Sequence, residues 1–294
     1  MAVVVITGSN SGFGREAALE FARNGDTVVA TMRNTDKAES LREAARKEDL
    51  NISVLGLDVT DPESFAQFGA KVVAKFGSVD VLINNAGILR PGALEDLDEA
   101  KLRLVMETNF FGPMLLTRAV LPQMREQGSG HIIMVSSLSG IAGLPGDVAY
   151  TASKFALEGA TEALRHEVDR WGIHLSLIQA GMYSTQIFPS RDDEVLPDDY
   201  PADSPYRILV ETKLRGIYES LQGAFDPADV ARLMVRIAAS DGSQLRWPAD
   251  AVAETVLKKV FAQDDAGRDA FLRDVSETQW WSNGQDAPTG RESV

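Results

Sequence analysis

Short apolar runs alternate with amphipathic helical patterns over the first 180 residues of the chain. The runs are rich in Val, Ile and Leu without clean polar alternation, which is typical of strands buried on both faces of a parallel sheet. The predicted strands are residues 3–7, 27–32, 52–59, 79–85, 131–137 and 173–180, and the predicted helices are 15–25, 36–48, 61–77, 98–128 and 150–172. The pattern predicts an α/β fold, a doubly wound (Rossmann) parallel sheet with helices on both faces.

The pattern changes after residue 180. Residues 182–206 are rich in proline and acidic residues and show no strong period, which is unusual for a simple connection. Helical spacing resumes at 208–223 and 226–240, and residues 245–263 are predicted to add a strand and a helix. We therefore expect one domain over residues 1–263, with a substrate-binding lid at about 182–223. A C-terminal extension follows at 264–294, and its tail from residue 280 onward is expected to be surface or disorder. The alternative for the Trp280-Trp281 pair is that it covers an apolar surface or a subunit contact.

The composition narrows the class of protein. The chain carries 43 acidic and 29 basic residues and a net charge of −14, a poor match for nucleic acid or an anionic membrane. It has no cysteine, which excludes disulfides, thiol catalysis and cysteine metal sites. No apolar run approaches the roughly 20 residues that cross a bilayer, and the first strand leaves no room for a signal peptide. We expect a soluble, cytoplasmic protein.

The histidines do not predict a metal site. His131, His166 and His174 fall in strand or helix patterns without a carboxylate cluster or the spacing of metal ligands. The acidic run at 191–194 is likewise expected to be a solvated rim of the lid.

The first predicted strand runs directly into a glycine-rich turn, TGSNSGFG, at residues 7–14. Glycines permit a tight turn and let backbone N–H groups approach a pyrophosphate, and the following helix N-terminus supplies a positive dipole. At the first strand-to-helix turn of a doubly wound sheet, this motif indicates nucleotide binding. The spacing is G-x-x-x-G-x-G without Gly-Lys-Ser/Thr, which excludes an NTPase loop. The predicted cofactor contacts here are Gly8, Ser9, Ser11, Gly12, Phe13 and Gly14.

The end of the second predicted strand bears on the choice of cofactor. Sheets that bind NAD often place an acid there, about 20 residues after the loop, to bind the 2′-hydroxyl of the adenine ribose. Here Met32 holds the place of the acid and Arg33 follows. Because a guanidinium favours a 2′-phosphate, we expect NADP(H) over NAD(H). The alternative is that Arg33 points to solvent.

Tyr150 and Lys154 stand four residues apart in a predicted helix, so their side chains share one face. A free tyrosine has a pKa of about 10, and a nearby ammonium together with a cationic nicotinamide ring is expected to lower it. Tyr150 could then exchange a proton with an alcohol or a carbonyl. The pair alone is a weak motif, but Ser136 and Ser137 end the preceding strand, at the sheet edge where open α/β sheets bind ligands.

With these motifs in place, the chain resembles the short-chain dehydrogenase/reductase family over about residues 2–185. The resemblance rests on TGSNSGFG, Asp58 after the third strand, NNAG at 84–87, Asn109, Ser137 and YTASK. It implies that Tyr150 is the general acid/base and that Ser137, rather than Ser136, hydrogen-bonds the substrate oxygen. It implies that Lys154 binds the nicotinamide ribose and lowers the pKa of Tyr150. It also implies that Asn109 holds a water in a proton relay through Lys154.

The resemblance implies further cofactor contacts. They are Asp58 and Val59 for adenine, the backbone of Asn85, Ala86 and Gly87 for the ribose, and Gly181 and Thr185 beside the nicotinamide. The family usually has Pro-Gly after the sixth strand, whereas this chain has Ala180-Gly181, which frees one backbone angle. Two other readings stay open: Asp58 as a turn former before Asp61, and Asn109 as a helix residue bonded to neighbouring backbone.

The implied activity is an NADP(H)-dependent oxidoreductase that interconverts a bulky apolar ketone or aldehyde and its alcohol by hydride transfer, without a metal. The segments ATMRN, SKFALEG and HLSLI resemble the sequences of the hydroxysteroid and retinol dehydrogenase branch of the family. The predicted substrate contacts are Ser137, Leu138, Tyr150 and Met182, with Leu144, Val148, Tyr183, Ile187, Phe188 and Tyr206 as further apolar candidates. The family also implies a homodimer or homotetramer, often through the long helices at 98–128 and 150–172.

Two other functions remain open at this stage. A sugar-nucleotide epimerase uses the same kind of sheet, a nicotinamide and Tyr-x-x-x-Lys, but usually has a different glycine spacing and a larger C-terminal domain. A catalytically silent NADP-binding regulatory protein would bind the cofactor without turnover. The intact set of Asn109, Ser137, Tyr150 and Lys154 argues against the silent protein.

Overall fold

The computed structural model describes residues 1–188 and 201–287, and these form a parallel sheet of seven strands with helices on both faces. The strands are β1 Val3–Ile6, β2 Thr27–Met32, β3 Ile52–Gly56, β4 Val81–Asn84, β5 Gly130–Val135, β6 Ile173–Gln179 and β7 Arg246–Pro248. They lie in the order β3-β2-β1-β4-β5-β6-β7, and every neighbouring pair is parallel. The predicted doubly wound α/β fold is confirmed.

Helices cover the sheet on both sides and continue past it to the C-terminus. They are α1 Gly12–Arg23, α2 Glu39–Lys47, α3 Phe65–Phe76, α4 Glu99–Met106, α5 Gly112–Gln127, α6 Val148–Val168, α7 Arg207–Leu221, α8 Pro227–Ala238, α9 Ala251–Ala262, α10 Asp265–Val275 and α11 Gln279–Ser282. The lid predicted at about 182–223 contains α7, whereas its acidic run at 191–194 lies outside the described residues.

The two faces of the sheet explain the apolar runs in the sequence. In β1, Val4 and Ile6 belong to the core on the side of α1 and α8, whereas Val3 and Val5 belong to the core on the side of α3, α5 and α6. Successive side chains of a strand point to opposite faces, and here both faces are covered. Polar alternation is therefore absent because neither face meets water.

The helix predicted over 98–128 is interrupted at its centre. A π-helical segment, Glu107–Phe111, separates α4 from α5, and the backbone N–H of Gly112 donates to the carbonyl of Glu107. Pro113 has no N–H with which to make the α-helical bond to the carbonyl of Asn109, which favours a break at this point. The wider turn holds Asn109 with none of its surface exposed.

The strand order places a crevice at the carboxyl edge of the sheet. The chain leaves β1 for β2 on one side, and β4 returns to the other side of β1. Open α/β sheets bind ligands where the strand order reverses in this way. The loops that follow β1, β4, β5 and β6 therefore converge on one crevice, and they carry most of the predicted site residues.

The C-terminal helices pack against the part of the chain that follows β5. Val256 and Val260 of α9 form a small apolar core with Ile141 and Ala142, against which Phe271 of α10 packs. Further along, Trp280 in α11 is only 8% exposed. Trp280 is therefore packed against the domain, which agrees with the reading that the tryptophan pair covers an apolar surface and not with an exposed or disordered tail at this residue.

Candidate active site

A cavity of about 1300 Å³ follows the carboxyl edge of the sheet, from the glycine-rich turn to Tyr150 and Lys154. Sites for a single small molecule measure roughly 300–1,000 Å³, so this one has room for a dinucleotide and a second molecule. Its walls come from the loops after β1 to β6, from α7 and α9, and from the segment between α10 and α11. The cavity thus joins nearly all the predicted motifs.

The glycine-rich turn can accommodate a phosphate group because its glycines have no side chains. Gly8 has φ +68°, and a Cβ there would lie 2.9 Å from Cα of Ala86. A Cβ on Gly14 would lie 2.4 Å from the carbonyl oxygen of Gly8, so Gly14 supports the turn from beneath. Ser11 precedes α1 without a side-chain capping bond, which leaves the first-turn N–H groups of α1 for an anion.

Two predicted contacts in this turn, Ser9 and Gly14, do not line the cavity. The side chain of Ser9 is fully buried and donates to the carbonyl of Ile6 at 3.0 Å, and its backbone N–H donates to Thr31. Ser9 therefore holds the turn onto the sheet and does not line the cavity. Gly8, Ser11, Gly12 and Phe13 do line it.

A clamp beneath the turn was not predicted. Backbone N–H groups of Asn85 and Ala86 both donate to the hydroxyl of Thr7 at 3.0 Å. In return, the side-chain amide of Asn85 donates to the carbonyls of Thr7 and Gly8 at 2.8 and 3.1 Å. The backbone of Asn85, Ala86 and Gly87 lines the cavity. Both residues stand in motifs that the sequence singled out, but their mutual contact spans 78 residues and gives no local signal.

The far end of the cavity holds the residues predicted for adenosine. Met32, Arg33, Asp58 and Val59 all line it. Arg33 is exposed, and the structure gives it no carboxylate partner among the described residues. One oxygen of Asp58 accepts from the N–H and the hydroxyl of Thr60 at 2.9 and 2.7 Å. Asp58 is therefore a turn former that also faces the cavity, so the two readings of this residue are compatible.

Ser137, Tyr150 and Lys154 meet at the other end. Ser137 hydrogen-bonds Tyr150, which is 8% exposed. The ammonium of Lys154 lies 5.6 Å from the centre of the Tyr150 ring and donates to the carbonyl of Val135 at 2.8 Å. Ser136, by contrast, is buried against Gly140, and its hydroxyl has no partner within the described structure. The geometry thus distinguishes Ser137, which lies beside Tyr150, from Ser136, whereas the chemistry of the two residues alone could not.

The expected direction of the Tyr150 pKa is wrong for the protein alone. Burial raises the pKa of Tyr150, the hydrogen bond with Ser137 lowers it, and the negative charge of Asp147 raises it. Desolvation dominates because the phenolate would lose its water. Tyr150 is therefore a protonated phenol in the protein alone.

Lys154 is buried in α6, and a carboxylate follows it one helical turn later. Burial lowers the pKa of Lys154 to about 8, and the charge of Glu158, one turn later, raises it. Glu158 accepts from the amide of Gln179 at 2.8 Å and from Arg246 at 2.9 Å. Arg246 also donates to Glu162, so a bridge from β6 and β7 fixes the carboxylate behind the lysine. None of these partners was predicted from the sequence.

Asn109 uses its whole side chain within the protein. Its oxygen accepts from the N–H of Ile88 at 2.9 Å, and its amide donates to the carbonyl of Ile88 at 2.9 Å and to Ser153 at 3.0 Å. Ser153 in turn donates to the carbonyl of Tyr150 at 2.7 Å. Asn109 therefore ties the loop after β4 to the turn of α6 that carries Tyr150, and its side chain has no amide hydrogen left for a water.

The substrate end of the cavity is largely apolar. The predicted contacts that line it are Ser137, Leu138, Leu144, Tyr150, Met182, Tyr183, Ile187 and Phe188, with Gly181 and Thr185 beside them. A Cβ on Gly12 would lie 3.2 Å from the methyl of Thr185, so Thr185 adjoins the phosphate end. The predictions for Val148 and Tyr206 are wrong: Val148 is 40% exposed, and the Tyr206 hydroxyl donates to Glu95. Neither lines the cavity.

Several residues at the substrate end were not predicted individually, although those of α7 fall within the predicted lid at about 182–223. Thr212, Gly216 and Ile217 of α7 line it, as do Val252 and Val256 of α9. Residues 275–278, in the extension beyond the predicted domain, also line it. Finally, Asp147 faces the cavity just before α6 and pairs with Lys213 of α7 at 3.4 Å. These contacts join distant parts of the chain and leave no periodic signature.

No group of three or more histidine and acidic residues in the described ranges is placed to hold a metal ion. His131 instead lies in β5, with its Nε2 2.9 Å from the hydroxyl of Ser176 and its ring centre 5.7 Å from that of His174. Of the helices within residues 1–188 and 201–287, none is long and apolar enough to cross a membrane.

Comparison with known sequences assigns the pattern to a family. A family model described as short chain dehydrogenase matches residues 2–195. The uncharacterized oxidoreductase YusZ of Bacillus subtilis (strain 168) is 38% identical over 250 residues, covering 84% of this chain and 88% of that protein. Retinol dehydrogenase 8 of Bos taurus is 36% identical over 252 residues, covering 83% of this chain and 80% of that protein.

Solved structures share the architecture. A short-chain dehydrogenase from Streptomyces avermitilis has a TM-score of 0.75 and 33% identity, over 97% of this chain and 100% of that one. A metagenomic short-chain oxidoreductase in complex with NADP has a TM-score of 0.66 and 25% identity, over 84% of this chain and 95% of that one.

Proposed function

The chain belongs to the short-chain dehydrogenase family and is an NAD(P)-dependent oxidoreductase, and we propose that it interconverts a bulky apolar ketone or aldehyde and its alcohol with NADP(H). The observation that carries the proposal is one continuous cavity, with the glycine-rich turn at one end and Ser137, Tyr150 and Lys154 at the other. That arrangement puts a proton donor within reach of whatever lies beside a bound nicotinamide.

The residues present fit a dinucleotide. Gly8 and Gly12 leave the turn open to a pyrophosphate, the N-terminus of α1 favours its charge, and the backbone of Ala86 and Gly87 forms the facing wall. Bound at this site, the nicotinamide supplies the hydride that the carbonyl carbon takes up. Lys154 would hold the ribose next to Tyr150, because its ammonium lies 5.6 Å from the centre of the Tyr150 ring.

The protein's own residues would handle the oxygen of the substrate. Ser137 and Tyr150 donate hydrogen bonds to the carbonyl and polarise it as negative charge develops there. Tyr150 then transfers its hydroxyl proton to the alkoxide oxygen, and the O–H bond of the new alcohol forms as the phenol O–H bond breaks. Lys154 stabilises the resulting phenolate through its positive charge. In the reverse direction Tyr150 accepts the proton from the alcohol.

Arg33 supports the preference for NADP(H). It lines the adenosine end, is exposed, and forms no ion pair with a carboxylate in the described structure. A free guanidinium can bind a 2′-phosphate with two hydrogen bonds, whereas Met32 offers the ribose hydroxyl no acceptor in place of an acid.

The walls of the substrate end support a bulky apolar substrate. Leu138, Leu144, Met182, Ile217 and Val256 surround the space beyond Tyr150. Apolar walls with few polar groups hold apolar ligands and orient them by those few groups. Retinol dehydrogenase 8, whose name states an apolar alcohol, is among the relatives, and it supports this substrate class.

We also propose a homodimer or homotetramer. Leu104, Phe111 and Phe155 are each at least 40% exposed, and they lie on α4, the π-helical segment and α6, which pack together. Large apolar side chains grouped on neighbouring elements are typical of a protein interface. Light scattering measures the mass in solution, and a monomer would contradict this part of the proposal.

The proposal is tested with NADPH oxidation against a panel of steroids, retinoids, aliphatic ketones and sugars. Wild type should turn over apolar carbonyls, and Tyr150→Phe should bind NADPH normally and lose at least 100-fold in kcat, the usual contribution of an acid/base. Near-normal turnover by Tyr150→Phe would contradict the role of Tyr150. Tight NADPH binding without any turnover would favour the silent regulatory protein, and retained cofactor with sugar nucleotides would favour an epimerase.

A further inference from the structure

A buried ion pair joins the helix that covers the substrate end to the start of the helix that carries Tyr150. Nζ of Lys213 in α7 lies 3.4 Å from Oδ2 of Asp147, and the two side chains are 13% and 8% exposed. Lys213 reaches Asp147 by crossing Gly146, which has φ +71° and would place a Cβ 3.4 Å from Cδ of Lys213. The lack of a side chain at Gly146 therefore lets α7 approach α6 closely.

In this ion pair, each buried charge is stabilised by the opposite charge of its partner. Among the described residues, neither Oδ1 of Asp147 nor Nζ of Lys213 has a hydrogen-bond partner, and both atoms are shielded from solvent. Burial raises the pKa of Asp147 to about 6, and the charge of Lys213 opposes that rise. Burial lowers the pKa of Lys213, and the charge of Asp147 opposes that fall. If α7 moved away, the carboxylate would lose its counter-charge.

The Asp147–Lys213 pair also affects the pKa of Tyr150. Asp147 precedes Tyr150 by three residues, which is nearly one helical turn, and both line the same cavity. The negative charge of Asp147 raises the pKa of Tyr150. Three groups face Tyr150 within the described structure: Ser137, the carboxylate of Asp147 and the ammonium of Lys154, which lies 5.6 Å from the ring centre. Lys213 is the ionisable group that acts on Asp147. The loop after β4 meets this turn through backbone, where the N–H of Gly92 donates to Gly146.

We propose that Lys213 is a positioning residue for proton transfer at Tyr150 and acts through Asp147. With α7 against the cavity, the ammonium neutralises the carboxylate beside Tyr150. With α7 displaced, the uncompensated carboxylate makes Tyr150 hold its proton more tightly. Enclosure of the substrate by α7 and the readiness of Tyr150 to ionise are thereby coupled. The inference rests on the proposed function, because it assigns Tyr150 the acid/base role.

The first test is Lys213→Met, which keeps the length of the side chain and removes its charge. The pH profile of kcat for alcohol oxidation should move to higher pH by about one unit, the size expected for one uncompensated neighbouring charge. The Kd for NADPH should stay within about twofold, because Lys213 lies away from the glycine-rich turn. Lys213→Arg should restore the wild-type profile, whereas a merely structural role would move kcat at every pH alike.

Two further variants sharpen the test. Asp147→Asn combined with Lys213→Met removes both charges and should return the profile to that of wild type. Glu211→Gln is the matched control, because it breaks the half-buried pair with Arg207 on the same helix and leaves α6 untouched. A Lys213→Met profile that superimposes on wild type would overturn the proposal, as would a double variant that stays shifted.

A spectroscopic readout separates this inference from the proposed function. Ultraviolet titration of tyrosinate, with the signal of Tyr150→Phe subtracted, follows the ionisation of Tyr150 without any substrate. The midpoint should be higher in Lys213→Met than in wild type, and equal midpoints would contradict the coupling. This result stands even if the carbonyl panel shows no turnover, which would contradict only the proposed reaction.

Discussion

Tyr150 illustrates how a single residue takes its chemistry from surroundings that the sequence does not display. Its spacing from Lys154 predicted a shared helix face, and the structure places both side chains at one end of the cavity. The lowered pKa was predicted for Tyr150 beside a cationic nicotinamide, whereas in the protein alone burial raises the pKa and outweighs the lowering by Ser137. Burial depends on the whole fold, whereas the spacing depends only on helical geometry, so only the spacing could be read from the sequence.

Glu158 is a second residue whose role appears only in three dimensions. It raises the pKa of Lys154, which burial otherwise lowers to about 8. In Glu158→Gln that pKa should fall further, so the ammonium is lost at a lower pH. NADPH affinity measured against pH should therefore decline at a lower pH than in wild type. Glu162→Gln, which removes the exposed partner of the same Arg246, should leave this dependence unchanged.

Arg33 gives a prediction about cofactor choice. Arg33→Asp replaces the cation at the adenosine end with a carboxylate, which repels a 2′-phosphate and accepts from a 2′-hydroxyl. The ratio of kcat/KM for NADPH to that for NADH should fall at least tenfold. The kinetics with both cofactors measure it, and an unchanged ratio would remove Arg33 from the cofactor argument.

At the scale of elements, strands and most helices followed from the sequence, whereas interruptions and tertiary contacts did not. All six predicted strands are present, because apolar runs between helices have few other interpretations. The break at Glu107–Phe111 was missed, since the apolar period continues through it and Pro113 alone marks the change. The clamp between Thr7 and Asn85 was missed because it joins two loops distant in sequence.

The glycine-rich turn gives a prediction at this scale. In Gly14→Ala the new Cβ would lie 2.4 Å from the carbonyl of Gly8 and 2.5 Å from the amide of Asn85, so backbone must move. NADPH affinity, measured by fluorescence titration, should fall at least tenfold, because the turn and its clamp shift together.

The matched control for this prediction is Gly69→Ala in α3, where a Cβ meets nothing within 4 Å. Alanine there should leave NADPH binding unchanged and stabilise the protein by about 0.5–1 kcal/mol, because it reduces the backbone freedom of the unfolded chain. Equal effects of the two variants on affinity would contradict the role of Gly14.

For the whole molecule, His131 links stability to pH. Burial lowers its pKa to about 4 from 6.5, so the folded protein keeps it neutral where the unfolded chain protonates it. A depressed histidine pKa means that the folded state binds fewer protons between these values. Stability is therefore lost as the pH falls from 6.5 toward 4, by about 3 kcal/mol over the whole window.

The measurement is urea unfolding of wild type and His131→Asn at pH 7 and pH 5. The loss on acidification should be about 2 kcal/mol larger in wild type, the part of that window which lies above pH 5. The comparison between variants is needed because Asp147, whose pKa is raised to about 6, titrates in the same range with the opposite sign. Equal losses in both proteins would show that His131 is not the linked group.

The two ends of the cavity are built from different parts of the sequence. The glycine-rich turn and the cluster of Ser137, Tyr150 and Lys154 lie within residues 2–195, the span that matches the family model. Much of the wall that meets the substrate lies beyond it, on α7, α9 and residues 275–278. Under the proposed function, substitutions in the last hundred residues should therefore change the range of substrates more than the hydride transfer itself.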